Sequence, residues 1–277
     1  MRRKTFLSKN QAQNFRRKIY LHFKKHGRDL PWRHTKDPYH ILVSEIMLQQ
    51  TQVDRVIARY TEFIRIFPDL FVLAKAPKDR LLGAWQGLGY NRRSLMLQTC
   101  ARIVVEKYGG TIPADAVLLQ NLPGIGVATG GSLCAFAFNQ PVVFIETNIR
   151  SVFIHEFFRQ KSRVSDKELV PLIEQTMDRK NPRRWYSALM DYGSYLKKTI
   201  PNPSRKSSRF VTQAKFQGSD RQVRGKILRM LLTQGKAGFK EIEHLVQIDP
   251  LRLHTIVAAL KLEGFIRQRN RWYSIAK

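Results

Sequence analysis

The sequence predicts a mainly α-helical protein that ends in a small winged-helix domain. Apolar residues recur at helical spacing through most of residues 1–198, where strand signals are few. Residues 199–219 are basic and contain two prolines and several serines, which predicts a linker or loop. A second helical pattern occupies residues 220–277. We therefore expect a helical domain, a basic linker and a C-terminal domain, in that order.

The helices of the first domain are predicted from the spacing of its apolar residues. In chain order they cover residues 11–26, 37–50, 52–67, 77–85, 91–108, 115–121 and 127–138. The run Ser165-Asp166-Lys167-Glu168 fits a capping box, which predicts a helix from there to about residue 178. A last helix is predicted over residues 183–197.

The C-terminal domain is predicted to hold three helices and a β-hairpin. The helices cover residues 221–234, 239–246 and 250–263, and Gly264 ends the third. Residues 265–267 can pair with residues 272–275 across a turn at 268–271. Three helices followed by a basic hairpin are typical of a winged helix, a variant of the helix-turn-helix. A generic small α/β interaction module is the alternative.

The chain carries a large positive charge. Among its 277 residues, 49 Lys and Arg stand against 21 Asp and Glu, a formal net charge of +28. This excess predicts a polyanionic partner and salt-sensitive association, with a membrane surface or a ribosome as alternatives to DNA. No apolar run approaches the roughly 18 residues of a membrane-spanning helix. Residues 1–4 lack the apolar stretch of a secretory signal.

Cysteine is scarce in this sequence. Cys100 and Cys134 both lie in apolar helical surroundings, which predicts buried thiols. Two cysteines cannot supply the four thiolates of a structural zinc or iron–sulfur site.

A glycine turn, Leu122-Pro-Gly-Ile-Gly126, separates two predicted helices. Glycines at 124 and 126 let backbone amides approach an anion, because no Cβ stands in the way. The helix that follows also offers its positive end. On a chain of this charge the natural anion is a DNA phosphate, held at Gly124 and Gly126. An ordinary corner between two helices is the alternative.

Glu45 lies on the predicted helix over residues 37–50 and shares its face with apolar residues three and four positions away. Loss of hydration on such a face raises the pKa of a carboxyl group, which suits a general acid near neutral pH. A glutamate that accepts a hydrogen bond from a backbone amide is the alternative.

Four motifs, taken together, resemble the helix-hairpin-helix (HhH-GPD) base-excision DNA glycosylases, and among them the MutY-type adenine glycosylases. The motifs are Asp37-Pro38-Tyr39, the run 44–53 with Gln49-Gln50-Thr51, Trp85-Gln-Gly-Leu-Gly-Tyr90, and the glycine turn. The resemblance covers about residues 10–196. It implies a two-lobed helix-hairpin-helix DNA glycosylase fold with a base pocket between the lobes. Such an enzyme extrudes a nucleotide and cleaves its N-glycosidic bond.

The resemblance also implies roles for individual residues. Glu45 matches the general acid that protonates the departing base. Gln49 and Gln50 match residues that fill the gap and read bases around the lesion. Tyr90 matches the aromatic wedge that enters the base stack, although a core tyrosine is the alternative at that position. The glycine turn would hold a backbone phosphate, with a monovalent cation bound there in this family.

The second carboxylate of the family is an aspartate, and Glu146 occupies its position here, followed by Thr147 and Asn148. Glu146 keeps the charge that stabilises an oxocarbenium-like sugar. It is one methylene longer, and a displacement of about 1 Å can impair catalysis greatly. We predict Glu146 as the second catalytic residue and Asn148 as a DNA-contacting residue, with loss of activity as the alternative.

Further departures from the family concern its cofactor and its chemistry. Ala128 stands where lyase members have a lysine, so no Schiff-base nucleophile is expected there. After the run 190–193 the relatives carry a four-cysteine iron–sulfur loop, whereas this chain has lysines, prolines and serines. We predict no iron–sulfur cluster and no other cofactor. The chain also has a winged-helix pattern where typical members carry the Nudix-like domain that recognises 8-oxoguanine.

These observations predict a monofunctional DNA glycosylase that removes adenine mispaired with guanine or 8-oxoguanine from double-stranded DNA. We expect a monomer, located with the chromosomal DNA in a bacterial or archaeal cytoplasm. One alternative is a thymine or uracil mismatch glycosylase of the same fold, against which the run Gln49-Gln50-Thr51 argues. The other is a catalytically inactive DNA-binding protein, against which the retained Glu45 argues.

Overall fold

The computed structural model describes residues 6–277 and confirms a mainly helical fold. In chain order the α-helices are α1 (Lys9–His26), α2 (Pro38–Leu48), α3 (Val53–Ile66), α4 (Leu70–Lys75), α5 (Lys78–Ala84), α6 (Arg92–Tyr108), α7 (Ala116–Gln120), α8 (Val127–Phe136), α9 (Thr147–Phe157), α10 (Asp166–Thr176), α11 (Pro182–Thr199), α12 (Asp220–Gln234), α13 (Phe239–Val246) and α14 (Pro250–Leu262). The strands are β1 (Lys236–Gly238), β2 (Ile266–Arg269) and β3 (Trp272–Ile275). They form an antiparallel sheet in the order β1-β3-β2.

The chain forms two compact units, each built from two separate stretches of sequence. Unit 1 comprises the described residues up to Glu45 together with residues 112–212. Unit 2 comprises residues 46–111 and 213–277. The change from the first unit to the second falls inside α2, directly after Glu45.

The core of unit 1 is rich in aromatic rings. Trp185 of α11 is fully buried and meets the rings of Phe15 and Tyr20 of α1 edge-on, with centroids 5.9 and 5.6 Å apart. Phe15 and Ile19 occupy the buried face of α1, as its amphipathic pattern predicts. Helices α1, α9, α10 and α11 contribute to this one hydrophobic cluster.

Two glycines inside α8 permit unusually close packing. A Cβ atom at Gly131 would lie 2.5 Å from the Cβ of Phe144, and one at Gly130 would lie 3.4 Å from the carbonyl oxygen of Ala116. Glycine in a helix interior costs roughly 1 kcal/mol relative to alanine. Here that cost is offset because α7 and the segment before α9 can pack directly on the α8 backbone.

A buried carboxylate fastens the end of α1 to α11. Asp191 is 3% exposed and accepts hydrogen bonds from both the Nε and the backbone N–H of Arg28, at 2.7 and 2.8 Å. Arg33 adds two more hydrogen bonds to the same carboxylate, both at 2.8 Å. These partners hold the pKa of Asp191 below its usual value although burial alone would raise it.

Unit 2 has a helical part and a C-terminal module, which we define as residues 220–277. In the helical part, Phe63 packs against Phe67 and Trp85, with ring centroids 4.9 and 5.7 Å away. The C-terminal module follows the order α12-β1-α13-α14-β2-β3, which is that of a winged helix. Leu82 of α5 is buried in the hydrophobic cluster of this module, and the Lys78 amine donates to the carbonyl oxygen of Gly264 at 3.2 Å.

The structure differs from the sequence prediction at a few elements. It adds α4, α9 and β1, which were not predicted, and it ends α2 at Leu48 instead of Gln50. Gln50 has a φ of +53°, a left-handed conformation that cannot continue a helix. Among the helices described between residues 6 and 277, none is long and apolar enough to cross a bilayer.

Candidate active site

Glu45 is placed near the C-terminal end of α2, where it meets α8. The hydroxyl of Ser132 donates to Oε2 of Glu45 at 2.5 Å. Burial raises the pKa of Glu45 to about 7, and the negative charge of Glu146 adds to that rise. The Ser132 hydrogen bond opposes the rise without cancelling it. A carboxyl group with such a pKa is partly protonated at neutral pH and can act as an acid.

Glu146 is the N-cap of α9. Its Oε1 accepts hydrogen bonds from the backbone N–H groups of Asn148 and Ile149, at 2.7 and 2.9 Å. Burial raises the pKa of Glu146, while those two amides and the charge of Lys197 favour its ionised form. The longer side chain of glutamate is therefore curled back onto its own helix and held in one orientation.

The side chain of Asn148 also contacts Glu146. Its Nδ2 donates to Oε2 of Glu146 at 3.2 Å and also lies 3.7 Å from the sulfur of Met190. A Cβ atom at Gly193 would lie 2.4 Å from the carbonyl oxygen of Asn148, so α11 and α9 touch backbone to backbone there. The Oδ1 atom of Asn148 is buried and has no hydrogen-bond partner within the described part of the chain. A buried polar atom without a hydrogen-bond partner is uncommon in a folded protein.

Lys197 was predicted at the end of a helix and among the cations of the iron–sulfur loop region, but not as a neighbour of Glu146. Burial lowers its pKa, and the negative charge of Glu146 acts against that lowering. Met190, Gly193 and Lys197 are spaced three and four residues apart on α11, so they share one face of the helix. The close packing of Gly193 on this face is visible only in the structure, so the spacing alone could not reveal Lys197.

The glycine turn joins α7 to α8 and forms the predicted helix-hairpin-helix. Leu122 and Ile125 of this turn are buried, each 4% exposed. Gly124 has a φ of +82°, a conformation that favours glycine. Gly126 is the N-cap of α8, and a Cβ atom built there would meet nothing within 4 Å. The backbone at this positive helix end is therefore open to an approaching anion. The monovalent cation implied at the turn stays a prediction.

The predicted DNA-contacting residues of unit 2 lie on two loops that one arginine joins. Arg93 is 8% exposed, and its Nη1 donates to the carbonyl oxygens of Met47 and Gln49 at 2.8 and 2.6 Å. Its Nη2 donates to Oγ1 of Thr51 at 2.8 Å and to the carbonyl oxygen of Gly89 at 3.0 Å. Arg93 thus links the loop of Gln49 and Gln50 to the loop of Tyr90. No local sequence pattern indicated this role, because Met47 and Gln49 precede Arg93 by 46 and 44 positions.

Gln50 and Tyr90 share an uncommon backbone conformation. Their φ angles are +53° and +47°, in the left-handed region that non-glycine residues rarely adopt. Such conformations cost roughly 1–3 kcal/mol and concentrate at functional sites. Both residues were predicted to contact DNA, and both occupy tips of loops.

Tyr90 is partly exposed, whereas the core position in this motif belongs to the fully buried Trp85. The Tyr90 ring has the guanidinium of Arg93 at 5.5 Å and that of Arg221 at 5.3 Å from its centroid. Its hydroxyl accepts a hydrogen bond from Nη1 of Arg221 at 2.5 Å and another from the Gln213 amide. Unit 2 therefore holds Gln49, Gln50 and Tyr90, while unit 1 holds Glu45, Glu146, Asn148 and the glycine turn.

The residues of this chain do not fit an iron–sulfur cluster held by thiolates. Cys100 and Cys134 are both buried, one in each unit, and burial raises the pKa of both thiols, that of Cys100 to about 12. The residues after α11 include no cysteine. Within residues 6–277 there is also no group of three or more His, Cys, Asp or Glu side chains arranged to hold a metal ion. The predicted absence of a cluster stays a prediction.

Comparison with known proteins gives a consistent set of relatives. Residues 43–175 match the family described as HhH-GPD superfamily base excision DNA repair protein. The adenine DNA glycosylase of Mycolicibacterium smegmatis is 30% identical over 263 residues, which cover 87% of this chain and 88% of that protein. The adenine DNA glycosylase of Buchnera aphidicola subsp. Baizongia pistaciae is 35% identical over 181 residues, or 64% of this chain. This chain spans 50% of the length of the Buchnera protein and 43% of that from Mycobacterium tuberculosis.

Solved structures show the same fold. A thermostable thymine-DNA glycosylase is similar with a TM-score of 0.61 and 26% identity, covering 70% of this chain and 91% of that one. A non-covalent endonuclease III–DNA complex matches with a TM-score of 0.60 at 18% identity, covering 71% of this chain and 91% of that one. The second likeness concerns the fold alone.

Proposed function

The chain belongs to the HhH-GPD superfamily of base-excision DNA repair proteins, and from that membership we propose that it is an adenine DNA glycosylase. Its substrate would be double-stranded DNA that carries adenine opposite guanine or 8-oxoguanine. The relatives named adenine DNA glycosylase support the choice of adenine. The motif run Gln49-Gln50-Thr51 supports it as well.

The pair Glu45 and Glu146 carries this proposal. Both carboxyl groups belong to unit 1, and burial together with the negative charge of Glu146 raises the pKa of Glu45 to about 7. Burial raises the pKa of Glu146 as well, and the amides of Asn148 and Ile149, which donate to its Oε1, act against that rise and favour the carboxylate. One acid and one carboxylate in a shared site are what the hydrolysis of a glycosidic bond needs.

The reaction would proceed in three steps. Protonated Glu45 gives its proton to the extruded adenine, because adenine leaves poorly as an anion. The bond between sugar and base then breaks, and the positive charge that develops on the sugar is stabilised by Glu146. Water attacks the sugar cation and releases a proton to the surrounding solvent, which leaves an abasic site in an intact strand. Glu45, now ionised, is stabilised by the Ser132 hydroxyl until it takes up another proton.

We propose further that the enzyme lacks lyase activity and works without an iron–sulfur cluster. Ala128 in the first turn of α8 offers no amine at the position of the lyase lysine. Backbone hydrogen bonds fasten the segment after α11. The N–H of Val164 donates to the carbonyl oxygen of Lys206, and the N–H of Ser208 donates to that of Val164, both at 2.8 Å. Iron analysis and the visible absorption spectrum of the purified protein test the absence of a cluster.

DNA as the partner is supported by the net charge of +28 and by the open space beside the backbone of Gly126. We propose that the protein acts as a monomer beside the chromosome, in a bacterial or archaeal cytoplasm. We also propose that residues 1–198 form the glycosylase domain, 199–219 a basic linker and 220–277 a winged-helix domain. Binding should weaken steeply with added salt, because each neutralised phosphate releases counterions.

The deciding experiment is single-turnover base release from duplexes with adenine opposite 8-oxoguanine, adenine opposite guanine, G:T, G:U and an undamaged pair. Glu45→Gln, which keeps the size of the side chain but cannot deliver the proton, is the control. Adenine release that disappears in the control supports the proposal. Tight binding of every duplex without release of any base would refute it and favour an inactive DNA-binding protein.

A thymine or uracil mismatch glycosylase is the second candidate. The 26% identity and the shared fold with a thermostable thymine-DNA glycosylase favour it. Release of thymine or uracil from the G:T or G:U duplex, without release of adenine, would select this candidate.

A further inference from the structure

We propose that Arg221, at the start of α12, is a positioning residue for the wedge Tyr90. Through it the C-terminal module would take part in opening the base stack, besides any DNA contact of its own. The inference rests on the proposed function, because it assumes that Tyr90 enters DNA.

The contacts of Tyr90 inside unit 2 are the basis of this inference. Nη1 of Arg221 donates to the tyrosine hydroxyl at 2.5 Å, and its guanidinium carbon lies 5.3 Å from the ring centroid. Arg93 approaches the same ring at 5.5 Å. The hydroxyl and the ring are therefore both engaged, and the hydroxyl accepts a second hydrogen bond from Gln213.

Such contacts matter because Tyr90 occupies a loop tip and is partly exposed. An exposed aromatic side chain loses rotamer freedom when it enters the base stack, and that loss opposes insertion. Cationic contacts with the ring and a hydrogen bond to the hydroxyl restrict the rotamer before DNA arrives. The left-handed backbone of Tyr90 fixes the direction in which the side chain leaves the chain.

Arg221 can fix Tyr90 only if α12 is itself held in place, and unit 2 provides that support. Leu82 of α5 is buried in the hydrophobic cluster of the C-terminal module. On α12, Arg224 forms two hydrogen bonds with the carboxylate of Glu263, at 2.9 and 2.8 Å. Helix α12 is thus packed against α5 and tied to the end of α14, and Arg221 extends from its first turn.

The charge of Arg221 also suits a position beside DNA. Its Nη2 donates to the carbonyl oxygen of Ala214 at 2.7 Å, and no described carboxylate lies within ion-pair distance of it. Arg252, in contrast, is neutralised by Asp220 at 2.6 Å. Because Arg221 keeps its positive charge beside Tyr90, it would attract DNA phosphates that come close.

The test measures wedge insertion separately from base release. The full chain is bound to a duplex with a stable abasic-site analogue opposite 8-oxoguanine and 2-aminopurine at the neighbouring step. The fluorescence of 2-aminopurine rises when its stacking is disturbed. Base release from a duplex with adenine opposite 8-oxoguanine is then measured under single-turnover conditions with the same proteins.

Arg221→Met is the main variant, and Arg229→Met is its matched control. Arg229 lies two turns further along the same helix and is solvent-exposed, so the control removes the same charge from α12. We expect Arg221→Met to lose most of the fluorescence rise and to slow base release about tenfold, the scale of one lost cation–π and hydrogen-bond contact. Arg221→Lys should restore part of both signals, and Arg229→Met should match the unaltered protein.

The outcomes separate this inference from the proposed function. Equal fluorescence in Arg221→Met and Arg229→Met overturns the positioning role, whatever the base-release data show. Failure of the unaltered protein to release adenine, with the expected fluorescence order, refutes the proposed activity and leaves the positioning role standing. Should Arg221→Met fold poorly, Tyr90→Phe removes the same hydrogen bond without touching α12. A fluorescence rise equal to that of the unaltered protein would then overturn the inference.

Discussion

The hydroxyl oxygen of Ser132 lies 2.5 Å from Oε2 of Glu45 and 2.9 Å from the carbonyl oxygen of Thr129. A hydroxyl group has one proton, so Ser132 can donate to only one of these oxygens at a time. When Glu45 is ionised, Ser132 donates to the carboxylate. When Glu45 is protonated, Glu45 can donate to Ser132, whose own proton then turns toward Thr129. Both protonation states of Glu45 are satisfied without movement of the heavy atoms.

The rate of base release should fall as the pH rises through about 7. In the proposed mechanism the protonated form of Glu45 is the acid, and its pKa is raised to about 7 by burial and by the charge of Glu146. In Ser132→Ala the hydrogen bond that lowers this pKa is missing, so the falling limb should move to higher pH. Single-turnover rates between pH 5 and 9 check both statements. A rate that is constant over this range would contradict the role of Glu45.

Glu45 should also make the stability of the fold depend on pH. Its pKa in the folded protein, about 7, lies above the ordinary value of 4.5. The group therefore stabilises the fold fully below the lower value and loses that effect as the pH rises toward 7. Glu45→Gln resembles the protonated form at every pH. The difference in free energy of unfolding between this variant and the unaltered protein should therefore shift in favour of the variant from pH 5 to pH 8. Urea unfolding at the two pH values measures the difference, which must change with pH if this reasoning is right.

Two substitutions of Glu146 should separate its charge from its role as a helix cap. Glu146→Gln keeps an oxygen that can accept from the amides of Asn148 and Ile149, but it loses the charge. We expect base release to slow about a hundredfold or more, with little change in thermal stability. Glu146→Ala should lose the activity and also about 1 kcal/mol of stability, because the N-cap is gone. Equal base release by Glu146→Gln and the unaltered protein would exclude a catalytic charge.

Gly193→Ala should disturb the close contact between α11 and α9 that supports the site. The new Cβ atom would lie 2.4 Å from the carbonyl oxygen of Asn148, so α9 and α11 must move apart. We expect a loss of roughly 1–3 kcal/mol in the free energy of unfolding and slower base release, because Glu146 precedes α9. Gly225→Ala is the control, since nothing lies within 4 Å of a Cβ atom there. In a helix interior that change should stabilise the protein by up to about 1 kcal/mol.

Arg93→Lys should uncouple the two loops of unit 2. A lysine keeps the positive charge, but a single ammonium group cannot reach the carbonyl oxygens of Gln49 and Gly89 in the manner of the planar guanidinium. We expect base release to slow at least about tenfold, because small displacements of Gln49 and Tyr90, which we propose contact DNA, would weaken alignment strongly. Arg102→Lys on the same helix, whose Nε donates to Ala74, is the matched control. Equal losses in both variants would point to general destabilisation of α6.

The long helices were predictable because their signal is local. Apolar spacing located α1, α3, α6 and α11 within a few residues, since packing on one face dictates the pattern. Helix α9 was missed because its N-cap is Glu146, and glutamate is not among the usual capping residues. Strand β1 has three residues, Lys-Ala-Gly. They form a strand because they pair with β3, and not because of their own β-propensity.

The residues of the candidate site also differ in whether a local sequence signal reveals them. Glu45 stood out because a carboxylate on an apolar face is rare, and the glycine turn stood out by its composition. Ser132, Lys197 and Arg93 did not, because each gains its role from a partner far away in sequence. The distance of 87 positions between Ser132 and Glu45 illustrates why spacing along the chain could not reveal that hydrogen bond.

The interleaving of the two units has a consequence for how the protein is made. Unit 2 begins at residue 46 but needs residues 213–277, so it stays incomplete until the ribosome has translated most of the chain. Leu82 leaves the ribosome before residues 220–277, which bury it in the folded protein, have been translated. The nascent chain therefore displays an apolar surface for some time, which invites chaperones and, after premature termination, proteases.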